Sequence, residues 1–198
     1  TSVMSPAVKG QIKAIQQAWE NAGVNSEDIG YLEAHGTGTP LGDKTEIETL
    51  KQFFGQDAGL AKAGIGSVKS NIGHAMPAAG IAGLIKTSLA LYHGVIPPTL
   101  NCEQPIDQLS ETRFAAVQQP IDWDQSGLPK LAAVNAFGFG GINAHVVLTA
   151  YDRPKKDPVL VIARQTHQEL IEALEHEDYS KGEGNYRLAV FNPTPDRL

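Results

Sequence analysis

Apolar positions along the chain alternate between two periods. Val8, Ile12, Ile15, Trp19 and Ala22 recur at helical spacing, which predicts a first helix with Ser5 as N-cap, Pro6 at its first turn and Gly23 as its stop. A strand follows over 29–35. Asp43 and Glu46 have capping-box spacing ahead of a second helix that lines up Ile47, Leu50, Phe53 and Phe54. A short strand over 65–68 leads into the turn "KSNIGHAM". Pro77 then opens a third helix to about Tyr92, closed by Gly94. Gly80 and Gly83 inside that helix lower its propensity but permit close packing against a neighbour. After an extended "VIPPTLN" come two runs, "LAAVNAF" and "INAHVVLTAY", that read as a hairpin.

Strands alternating with helices, closed by a hairpin, predict an α/β layered domain with a mixed sheet flanked by helices. The Pro/Lys-rich run "DRPKKDP", residues 152–158, is the expected boundary. It divides a main domain, 1–151, from a small strand–helix–strand appendage, 152–198, too short to bury much core alone.

Composition narrows the classes. The 198 residues are 41% hydrophobic and 19% charged, as in ordinary globular chains. A net charge of −6 gives nucleic-acid binding no support, and no apolar run approaches the ~20 residues that span a bilayer. The start, "TSVMSPAVKG", is not a signal peptide, and Thr at position 1 hints at a trimmed piece. A lone cysteine, Cys102, excludes an intrachain disulfide and suits a cytoplasmic setting.

Three glycine-rich turns follow predicted strands: "HGTGT" at 35–39, "KSNIGH" at 69–74 and "FGFGG" at 137–141. The carboxyl edge of an open α/β sheet is where ligands bind, so the three suggest one shared pocket. Phosphate loops fail as an explanation. No P-loop exists, and Gly36, Gly38 and Gly42 miss the dinucleotide fingerprint by one residue. A serine-nucleophile elbow is missing, and His35 and His74 have no partners at metal-ligand spacing. Neither a metal nor a resident cofactor is expected.

Two histidines and a lysine suit another task. Two neutral imidazoles converging on one thioester carbonyl would stabilise an enolate, with Lys69 placing positive charge beside them. Thr37 and Thr39 would offer hydroxyls to an amide-bearing substrate arm. Each residue also has a plainer reading. A histidine at a strand end is more often a hydrogen-bonded structural residue, and Lys69 alone reads as a solvated lysine. Gly138, Gly140 and Gly141 suit a hairpin turn, His145 local packing, His93 a helix end, and Cys102 no role.

The blocks "EAHGTGTPLGD", "GSVKSNIGHAMPAAGIAGLIK" and "NAFGFGGINAHVVL" resemble the three C-terminal signatures of β-ketoacyl synthases, above all the ketosynthase domains of multidomain polyketide and polyunsaturated fatty acid synthases. The resemblance covers about residues 1–150. It implies the second half of a thiolase-like fold, in which two α/β halves stack in five layers. It also implies decarboxylative Claisen condensation, with His35 and His74 as catalytic histidines and Lys69 as electrostatic support. Thr37 and Thr39 would hold phosphopantetheine; Phe137 would be the gate, its N–H in an oxyanion hole. One departure is Gly83, where discrete ketosynthases carry a glutamate and modular ones tend to carry glycine. The family's nucleophilic cysteine belongs to the N-terminal half, and Cys102 matches no family cysteine, so the chain reads as a C-terminal fragment, inactive alone. The tail resembles the linker that follows ketosynthases. The implied partners are the N-terminal half, an acyl carrier protein whose phosphopantetheine bears the substrate, a second copy in a homodimer when complete, and an adjacent acyltransferase domain. Two rivals remain: a non-catalytic partner, chain-length-factor-like or scaffolding, and a thiolase using CoA substrates.

Overall fold

The computed structural model describes residues 5–56, 62–151 and 159–191, in two compact units, Thr1–Tyr151 and Asp152–Leu198. The expected linker, 152–158, lies outside the described residues.

In the first unit, α1 (Val8–Ala22) leads to β1 (Tyr31–Glu33), α2 (Pro40–Phe54) and β2 (Ala63–Gly66). Next come the single turn α3 (Lys69–Ile72), α4 (Ala78–His93) and β3 (Val95–Ile96). β4 (Phe114–Ala116), β5 (Ile121–Asp122), β6 (Leu131–Phe137) and β7 (Asn143–Thr149) complete the unit. The main sheet has the order β4-β2-β1-β6-β7. Its first four strands run parallel, and β7 returns antiparallel to β6 from Phe137 opposite Asn143 to Leu131 opposite Thr149. β3 and β5 pair separately.

Successive strand residues point to opposite faces, and both faces are covered. Leu32, Ala133 and Phe137 enter a core with Ile15 and Trp19 of α1 and Ile47, Leu50 and Phe54 of α2. Tyr31 and Ala132 enter a second core with Ala90 and Leu91 of α4 and Trp123. β1 is therefore buried throughout, as a parallel strand between helix layers must be.

Three expected boundaries move. α1 begins at Val8 with Ala7 as an uncapped N-cap, because Ser5 and Pro6 lie ahead of the helix. The strands are shorter, leaving His35 two residues past β1 and Val68 in the turn before α3. The capping box at Asp43 does not form. Thr39 caps α2 through its hydroxyl, Pro40 takes the first turn, and both carboxylates reach back to the loop instead. The glycines of α4 do serve close packing: a Cβ on Gly80 would stand 3.0 Å from the Ala136 Cβ.

The second unit is a hairpin of β8 (Val159–Arg164) and β9 (Tyr186–Phe191) with α5 (His167–Glu175) between them in sequence. Thr166 and Glu169 cap α5 reciprocally. Ile162, Ala163 and Ala173 are its buried apolar residues among those described, a core of the expected small size.

Candidate active site

β1, β2 and β6 run parallel, so the three glycine turns emerge at one sheet edge. There His35 and His74 meet with ring centroids 5.6 Å apart and planes at 87°. The Phe137 ring, at the buried end of β6, lies 5.9 Å from His35. Two imidazoles far apart in sequence thus share one site.

The turn carrying His35 is pinned by carboxylates. Glu46, buried in α2, accepts the backbone N–H of His35 and of Gly36, each at 2.8 Å. Asp43 accepts the Gly38 N–H at 3.1 Å. Gly36 and Gly38 have φ of 46° and 71°, a left-handed conformation that glycine adopts without steric cost. The Thr37 and Thr39 hydroxyls lie 3.0 Å apart, and Thr39 also accepts the Gly42 N–H. These hydroxyls therefore build the loop and the helix start.

On the second turn, Lys69 opens α3. The turn is held by Glu33 of β1, whose Oε1 accepts the Val68 N–H. The Glu33 Oε2 accepts from Lys86 and from the Tyr31 hydroxyl, each at 2.8 Å. This pair also accounts for Gly83: a Cβ there would stand 3.1 Å from the Glu33 Cγ, so the small residue leaves room for the carboxylate. Further along, the exposed His74 accepts the Met76 N–H on Nδ1 at 3.1 Å. With that lone pair engaged, the ring proton sits on Nε2, free to donate to a ligand.

Charge acts on His35 in one direction. Burial foremost, then the Lys69 cation and His74, lower its pKa to about 4, so it is a neutral imidazole at neutral pH. Lys69 is itself lowered by burial, although Glu46 and Glu33 draw it upward. Burial raises Glu46, opposed by its hydrogen bonds from Gly36, Asn135 and His35. The N–H donors facing both of its oxygens suit the carboxylate form.

The remaining candidates separate by position. Gly140 and Gly141, with φ of 72° and 80°, shape the β6–β7 connection, and the Gly138 N–H donates to the Ile142 carbonyl at 2.8 Å. Cys102 is half-buried; burial, then Glu103 and Asp43, push its thiol up, away from thiolate chemistry. His93 ends α4 against Tyr92. His145 bonds Asn135 and Trp19. Among the described residues no group of three or more His, Cys, Asp or Glu could hold a metal ion, and no helix is long and apolar enough to cross a membrane.

Sequence reasoning missed Glu33, Lys86 and Asn135, and assigned Glu46 to a cap. The available signals were a charge and an amide inside otherwise apolar strands, "YLE" and "LAAVNAF".

The family model of the β-ketoacyl synthase C-terminal domain matches residues 1–103, and that of the ketoacyl-synthetase C-terminal extension matches 103–180. Over 164 residues the chain is 46% identical to the highly reducing polyketide synthase apmlA of Arthrinium phaeospermum, covering 80% of this chain and 7% of that protein. It is 44% identical over 161 residues to the polyketide synthase ThaG of Burkholderia thailandensis, covering 74% of this chain and 3% of that protein. Ketosynthase twelve of the bacillaene polyketide synthase of Bacillus amyloliquefaciens superposes with a TM-score of 0.70 at 34% identity, over 88% of this chain and 32% of that one. The chain thus spans less than a tenth of these two curated relatives and about a third of that solved ketosynthase. The fold is that of thiolase-like ketosynthases, and the chain belongs to the β-ketoacyl synthase family as a C-terminal part of a ketosynthase region.

Proposed function

We propose that this chain supplies the histidine-bearing part of a β-ketoacyl synthase that condenses a malonyl unit on an acyl carrier protein with an enzyme-bound acyl group. The observation that carries the reading is the His35–His74 pair, 5.6 Å between ring centroids, with His35 kept neutral by its burial and then by the Lys69 charge. In the proposed step both imidazoles donate N–H bonds to the malonyl thioester oxygen. The C–C bond to the carboxylate breaks, CO2 leaves, and the electron pair forms an enolate whose charge those donors hold. The enolate carbon then attacks the acyl thioester of a cysteine outside this sequence, expelling its thiolate.

Cys102 is not that nucleophile, since burial raises its pKa and it stands in neither histidine turn. The N-terminal half is the proposed source. Support comes from Ile81, Ile85 and Leu89, spaced four apart on α4 and 52–59% exposed, an apolar stripe suited to covering by another layer. Phosphopantetheine would enter past Thr37 and Thr39, and the carrier protein, a second copy and an acyltransferase remain the proposed partners. A chain-length-factor-like partner would use the same α4 face but has no need of two converging imidazoles, so the pair favours the condensing enzyme.

The test is CO2 release from malonyl-carrier protein by the full-length protein. His35→Ala or His74→Ala is expected to slow it about 10²–10³-fold; wild-type decarboxylation by the double variant would overturn the reading.

A further inference from the structure

His145 is buried, titratable and unused by the mechanism above, yet it sits in a hydrogen-bond chain that ends on the turn carrying His35. Each link has a single possible direction. The indole of Trp19 can only donate, and its Nε1–H lies 2.9 Å from the His145 Nε2. That nitrogen must therefore accept, which puts the ring proton of the neutral imidazole on Nδ1. The Nδ1–H meets the Asn135 Oδ1 at 2.6 Å. This fixes the amide, so Nδ2 donates to the Glu46 Oε1 at 2.8 Å. Glu46 in turn holds the amides of His35 and Gly36.

The four side chains come from α1, β7, β6 and α2, on the sheet face those two helices cover. Trp19, His145, Asn135 and Glu46 are exposed by 9% or less, so water offers each little substitute partner. Burial also lowers the His145 pKa to about 4, consistent with a ring that accepts on one nitrogen.

Resting on the assignment of His35 as an oxyanion donor, we propose that His145 is a positioning residue for His35. It orients the Asn135 amide, and through it the Glu46 carboxylate that anchors the His35–Gly36 turn. Without the Nδ1–H, the Asn135 amide is held only through its bond to Glu46, and the two can swing together, carrying the carboxylate away from the turn. Gly36 sits in the left-handed region, where no side chain of its own restrains it. Small displacements of a catalytic donor are costly in rate.

The experiment compares His145→Leu with His145→Asn in the full-length protein, reading thermal stability together with kcat and KM for malonyl-carrier decarboxylation. Asparagine can place an N–H where Nδ1 stood; leucine cannot. Both variants leave the Trp19 N–H without its acceptor and should lose stability alike. His145→Leu is expected to lower kcat about ten- to a hundredfold with KM changed less than about threefold, and His145→Asn to recover most of that loss. Asn135→Asp, near-isosteric, still accepts from His145 but loses the donor to Glu46, and should reproduce the kcat loss should the leucine variant not fold. Undiminished kcat in His145→Leu and Asn135→Asp, or equal kcat losses in the two His145 variants, overturns the proposal. His35→Ala in the same assay separates the two claims. If it is slowed while the His145 variants are unimpaired, only the relay fails; if it decarboxylates at the wild-type rate, the role of His35 fails as well.

Discussion

The Met76 N–H on the Nδ1 of His74 decides which edge of that ring faces a substrate. Glutamine places its amide where Nε2 stood and asparagine where Nδ1 stood. His74→Gln should therefore decarboxylate faster than His74→Ala in the full-length protein, whereas His74→Asn should not. Equal rates would contradict the assigned orientation. At His35 the question is charge. Burial foremost, and the Lys69 cation after it, hold the ring below its ordinary pKa, so Lys69→Met should raise the His35 pKa above about 4, read from the imidazole proton shifts in an NMR titration. A fall, or no movement, would mean that Lys69 takes no part in setting the value.

The elements show why parts of the site escaped the sequence. Helix and strand periods located α1, α2, α4 and the β6–β7 hairpin, because burial of one helix face or both strand faces dictates residue spacing. Parallel pairing then brought His35, Lys69, His74 and Phe137 to one edge, as the turn positions implied. Glu33, Asn135 and Glu46 were illegible for a common reason: their partners lie 35, 89 and 10–11 residues away, in other elements. A carboxylate in a strand becomes intelligible only once Lys86 and the Val68 amide are seen around it. The capping box at Asp43 was lost to a better local cap, Thr39, three residues ahead of Gly42. Thr39→Ala should therefore cost about 0.5–2 kcal/mol in thermal unfolding. Gly83→Leu should destabilise by roughly 1–3 kcal/mol by displacing Glu33, and a neutral outcome would show that the carboxylate has room to move.

For the molecule as a whole, two features follow from where polar and apolar groups are buried. The α4 stripe is stabilised only if another layer covers it. Ile85→Asp, on an exposed position, should leave the fold of this segment intact and weaken its association with the proposed N-terminal half, measured by co-purification. Unchanged association would place the partner elsewhere. The second feature is acid sensitivity. His35 and His145 have pKa values near 4 against an ordinary 6.5, so below pH 6.5 the unfolded chain binds protons that the folded one refuses. Stability should fall as pH drops from about 6.5 toward 4, and a flat melting temperature across that range would contradict the burial of the two rings.

Whether the two imidazoles serve one oxygen is tested most directly by a double-mutant cycle on decarboxylation, with His35→Ala, His74→Ala and the pair in the full-length protein. Donors to a single carbonyl act as a unit, so the double variant should be little slower than the slower single one. Losses that multiply, as for rings acting at separate places, would contradict a shared site.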